Sequence, residues 1–167
     1  MPKFMLLFLG LSATLAHAED SREIFPEYPE PKAVFDFFFA DPRHIESGLF
    51  WIRSFVNPLS GEPYNHAPEF MDVVVVVHGT EIVTLAQHNY DKYSESVERM
   101  RYYASLGVKF RICGLAAADY GYTHDDFYDF VQIVPSAMVE LARLQQLGYG
   151  LVTPQIREKV FTIEEIR

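Results

Sequence analysis

The sequence predicts a layered α/β domain on a five-stranded, mostly parallel sheet. Two observations carry this. Strand-sized and helix-sized apolar patterns alternate along the chain. One strand, Met71–Val77, holds five consecutive valines, and an unbroken β-branched run must be buried on both faces. Strands joined through helices are parallel, with right-handed crossovers. A length of 167 residues fits one domain, and 49% apolar with 22% charged residues fits a globular one.

The elements follow in order. Lys32–Phe39 is apolar after Lys32, interrupted only by Asp36, and reads as the first strand. Pro42–Val56 places Ile45, Leu49, Ile52, Phe55 and Val56 at helical spacing. Asn57–Pro68 is a turn-rich loop with four prolines or glycines. The valine strand leads through His78-Gly79-Thr80 into a short helix over Glu81–Leu85. Ser94–Leu106 carries Val97, Met100, Tyr103, Ala104 and Leu106 on one side, and Gly107 stops it. Val108–Cys113 alternates Val108, Phe110 and Ile112 with Lys109 and Arg111, the period of a strand. Gln132–Val134 is a short fourth strand, Pro135-Ser136 opens a helix over Ala137–Gln146 capped by Gly148, and Tyr149–Val152 is the fifth strand. The tail 155–167 has no assignable pattern.

The termini are read separately. Met1-Pro2-Lys3, an uncharged Phe4–Leu11 run and Ala16-His17-Ala18 have the layout of a signal peptide cleaved after Ala18. The apolar run is shorter than the ~20 residues of a membrane span. The expectation is therefore an exported, periplasmic or secreted protein with no membrane segment after cleavage. Residues 19–31, with Pro26, Pro29 and Pro31, read as an extended leader. The net charge is −9, and losing Lys3 with residues 1–18 makes it −10. An acidic protein does not suit nucleic acid.

Chemistry is expected where strand ends meet the sheet rim. His78 follows the second strand and Cys113 closes the third. Cys113 is the chain's one cysteine, so it forms no internal disulfide. It is an inert buried residue, an intermolecular bridge or a working thiol. The small residues after it, Gly114–Ala118, suit a helix whose N-terminus favours a thiolate, while Asp119, Asp125, Asp126 and Asp129 oppose one. Asp125, Asp126 and Asp129 also read as an acidic turn after Thr123. Tyr120, Tyr122, Phe127, Tyr128 and Phe130 form an aromatic cluster expected to pack the core or a subunit contact. His66, His88 and His124 lack metal-ligand spacing, and no Gly-rich phosphate loop follows a strand, so neither metal nor cofactor is expected.

Three stretches together resemble the DsrE/DsrF-like family: Val73–Gly79, Gly107–Gly114 and Val134–Tyr149, the last with Val-Pro-Ser, Glu-Leu-Ala-Arg-Leu-Gln and Gly-Tyr. The resemblance spans about Val34 to Pro154. It implies a flavodoxin-like three-layer fold and assembly as a homotrimer or homohexamer. It also implies that Cys113 is the sulfur acceptor of a persulfide relay between donor and acceptor proteins. His78 is then the candidate assisting group, and Arg143 and Gln145 pack or bridge subunits. The chain departs from relay members in carrying Asp119-Tyr120 where a basic pair is often found. The alternative is a non-catalytic oligomeric binding module of the same fold with a structural Cys113.

Overall fold

The computed structural model describes residues 22–157 and 159–167. The signal peptide expected over 1–18 lies outside the described residues.

The five strands are β1 (Lys32–Phe37), β2 (Asp72–Val77), β3 (Lys109–Cys113), β4 (Val131–Val134) and β5 (Gly150–Val152). They form one sheet in the order β4-β3-β2-β1-β5, and every pairing is parallel. The helices are α1 (Ile45–Ser60), α2 (Tyr90–Ser105), α3 (Gly114–Asp119), α4 (Ala137–Gln146) and α5 (Ile163–Ile166). Helices cover both faces, so the flavodoxin-like three-layer architecture holds.

Alternation along the strands sorts the core into two layers. Ala33, Phe35, Phe37, Val73, Val75, Val77, Phe110 and Ile112 face α1 and α2. α1 meets them with Ile45, Leu49, Ile52, Val56 and Leu59, and α2 with Val97, Met100 and Tyr103. Val34, Val74, Val76 and Cys113 face the other way, against Ala137, Leu141 and Leu144 of α4. The valine run thus feeds both layers, the physical reason it is unbroken. Leu144 is the pivot of the thinner layer. Leu144→Ala should lower stability by about 2 kcal/mol, read by denaturant unfolding.

Several boundaries move. β1 ends at Phe37, two residues early, because Phe38 and Phe39 turn into a rim loop. The helix expected over Pro42–Val56 starts as a 3₁₀ turn, Pro42–His44, under an Asp41 cap, and then runs through Pro58 to Ser60. Pro58 stands in the last turn, where losing one N–H donor does not stop the helix. The helix expected from Ser94 begins at Tyr90, with non-helical backbone at Tyr93. The short helix expected over Glu81–Leu85 is a 3₁₀ helix that starts one residue earlier, Thr80–Leu85. Gly107 and Gly148 follow α2 and α4 with φ of 95° and 87°, the left-handed backbone that glycine adopts without a Cβ clash.

Part of the leader is fastened to the domain. Tyr64 Oη donates to Pro26 O at 2.6 Å, and His66 Nε2 lies 2.8 Å from Tyr28 O. In the tail, Ile156 packs on the larger core and Thr162 caps α5. No helix among the described residues is long and apolar enough to cross a membrane.

Candidate functional site at the carboxyl rim

Because all strands are parallel, their carboxyl ends share one edge. β3 and β4 leave that edge differently: α3 sends Ala117 into the α1/α2 layer, whereas α4 packs on the opposite face. Open α/β sheets place ligand sites at such divergent strand ends. Cys113 lies there, paired in register with Val134.

The Cys113 residue is 6% exposed. Its side chain joins Val34, Val74 and Val76 beneath Leu141 and Leu144. Extending the β2–β3 register (Val77 opposite Ile112) by one residue brings His78 opposite Cys113. The structure therefore brings both predicted site residues to one rim, on adjacent strands.

The His78 ring is nevertheless engaged on the β1 side. Its Nε2 lies 2.7 Å from Asp36 Oδ1, and both side chains are largely buried. Phe38 stacks on the ring with centroids 4.7 Å apart and planes 10° apart. Sequence reasoning missed both partners. The available signal was Asp36 itself, the one acidic residue in a strand that is apolar after Lys32.

A second missed residue shapes the rim. Glu81 is fully buried, and its two carboxylate oxygens accept the backbone N–H groups of Phe39 and Gly79, each at 2.9 Å. Burial pushes the Glu81 carboxyl up, opposed by those N–H donors and by His78. Thr80 adds two bonds to Phe39 O, from its N–H at 2.9 Å and its hydroxyl at 3.0 Å. A Cβ on Gly79 would come within 2.5 Å of Glu81 Oε2 and Phe39 N, so glycine is needed for this approach. Glu81 thus ties the loop after β1 to the loop after β2.

These loops and α3 enclose a cleft of about 300 Å³ containing Phe38, His78, Ala116, Asp119 and Tyr120. Ala116 also contacts the layer that holds Cys113, so the cleft and the thiol share a wall.

The remaining candidates separate from this rim. His66 binds the leader, His88 lies against Tyr122, and His124 contacts Asp125. The acidic turn after Thr123 is a 3₁₀ turn, His124–Asp126, closed by reciprocal Thr123–Asp126 bonds. Within the aromatic cluster, Phe127 is buried and Tyr122, Tyr128 and Phe130 pack on the larger core, with Arg101 over Tyr128 and Phe130. Arg143 and Arg111 both hold Glu140, and Arg143 Nε donates to its Oε2 at 2.9 Å. This network fastens α4 to β3. Gln145 Nε2 donates to Leu141 O at 3.1 Å, within the same helix.

The DsrE/DsrF-like family model matches residues 35–154. No curated protein matches the sequence. Among solved structures, the protein of unknown function MTH1491 from Methanobacterium thermoautotrophicum superposes with a TM-score of 0.59 at 20% identity, over 73% of this chain and 97% of that one. That likeness is one of fold, and it agrees with the all-parallel sheet. With a family match over most of its length, the chain belongs to the DsrE/DsrF-like family.

Proposed function

We propose that this protein is a sulfur carrier in which Cys113 holds sulfane sulfur as a persulfide. The observation that carries this is the placement of the chain's one cysteine at the divergent ends of β3 and β4, in a domain of this family. In the loading step the Cys113 thiolate attacks the outer sulfur of a donor persulfide. A new S–S bond forms, the donor's S–S bond breaks, and the donor leaves as a thiolate that takes up the proton Cys113 released. An acceptor thiolate removes the outer sulfur by the same exchange. Neither step needs an outside oxidant or reductant.

The proposal extends to location and assembly. The layout of residues 1–18 supports export, and the exposed Met138, Val139, Leu147 and Leu151 supply apolar surface for a homotrimer or homohexamer. Donor and acceptor proteins complete the relay.

Burial of Cys113 favours a second reading, a non-catalytic binding module with a structural cysteine. Alkylation of the folded chain separates the two. Sulfur carriage predicts labelling of Cys113 in native buffer faster than global unfolding allows. Labelling that waits for unfolding supports the structural role.

A further inference from the structure

The cleft beside Cys113 has a distinct charge pattern. Phe38 is 69% exposed and Tyr120 44%, so two aromatic rings meet solvent at its mouth. Asp119 stands next to Tyr120, and among the described residues no lysine or arginine lines the cleft. Arg43, on the turn after Ala40, is occupied by Asp41, its Nε lying 3.0 Å from both carboxylate oxygens. His78, the one ring there able to carry a positive charge, is faced by Asp36. Asp119 and the buried Glu81 add two further carboxyl groups, so acidic groups outnumber basic ones around the cleft. Aromatic faces beside a carboxylate favour a cation. The volume stands at the low end of the about 300–1,000 Å³ range of small-molecule sites.

We propose that this cleft binds the ammonium group of a small aminothiol, and that the persulfide of that aminothiol loads Cys113. The proposal rests on the sulfur-carrier reading and names its substrate class. Ala116 places such a ligand against the wall shared with the thiol. The outer sulfur bonds to Cys113 Sγ, the ligand's S–S bond breaks, and the aminothiol leaves as a thiolate that takes the proton given up by Cys113. Anionic donors of the thiosulfate kind meet Asp119 and are disfavoured.

Amide chemical shifts of the isotope-labelled chain test this, with titrations of cysteamine, 2-mercaptoethanol and mercaptoacetate at low ionic strength. Cysteamine should move Phe38, His78, Ala116 and Tyr120 and saturate at least about fivefold below 2-mercaptoethanol. Mercaptoacetate should leave these amides in place. Asp119→Asn should weaken the cysteamine response severalfold while amides elsewhere stay unchanged. Equal responses to all three thiols, or a cysteamine response away from the rim, would overturn the proposal. Loading of Cys113 by an uncharged persulfide with no cysteamine binding at the cleft sinks the cleft and leaves sulfur carriage standing. Cysteamine binding at the cleft, with Cys113 refusing every persulfide, sinks sulfur carriage instead.

Discussion

Glu81→Ala is expected to cost about 3 kcal/mol of unfolding free energy at neutral pH, because it strands two buried backbone donors. The Phe39 and Gly79 N–H groups lose the acceptors that the fully buried Glu81 carboxylate gives them. Relief of the carboxylate's own desolvation offsets part of the loss. Gly79→Ala attacks the same contact from the other side by forcing a Cβ into Glu81 Oε2 and Phe39 N. The two substitutions should therefore be sub-additive in a double-mutant cycle. The pH dependence has a definite sign. Burial raises the Glu81 carboxyl above its usual 4.5, so the folded state keeps that proton longer than the unfolded chain. The native protein consequently loses Glu81-linked stability as pH rises from 4.5 through the raised value. The penalty of Glu81→Ala should be larger below that window than at neutrality. Denaturant unfolding at the two pH values reads this directly, and a penalty that grows with pH would contradict it.

Glu140→Ala should cost a comparable amount, about 3 kcal/mol, with the opposite pH trend. Glu140 has an 8% exposed side chain and holds both Arg111 of β3 and Arg143 of α4. Its removal leaves the mostly buried Arg111 guanidinium with Gln132 as its remaining side-chain partner, at 3.1 Å. The Arg143 hydrogen bonds, with the Arg111 and Arg143 charges, lower the Glu140 carboxyl against the opposing effect of burial. The stability it contributes is present above its usual 4.5 and is lost as pH falls through the lowered value. The native protein and the variant should therefore converge on acidification. A gap that stays constant or widens would show that Glu140 acts by packing alone.

The two carboxylates also show what a sequence can and cannot disclose. Patterning located all five strands: an unbroken apolar run marks β2, alternation marks β3, and the short, less buried β4 and β5 stand out by the Pro and Gly residues beside them. Cys113 and His78 were placed at the rim for the same reason, since parallel strands ending in those residues share an edge. Glu81 and Asp36 were not visible as partners. Their roles depend on contacts 42 positions apart in the chain, where the end of β1 and the loop after it meet the loop after β2, which no local pattern records. The short helix expected over Glu81–Leu85 is a 3₁₀ helix, Thr80–Leu85, a form that its apolar residues alone do not distinguish from an α-helix. Its distinguishing feature is Glu81 folding back onto the Gly79 N–H, a tertiary choice. α1 continued past Pro58 because the core contact of Leu59 outweighs the weak helix propensity there. Burial of Cys113 was equally hidden: alternation assigns its face, but only the position of α4 shows how fully that face is covered.

Sulfur carriage by Cys113 is tested most directly by the intact mass of the folded chain after treatment with a low-molecular-weight persulfide donor, with Cys113→Ser alongside. The account predicts a species heavier by one sulfur atom, absent from Cys113→Ser and reversed by an acceptor thiol. An unchanged mass in native buffer, with the same chain taking up sulfur once unfolded, would contradict it.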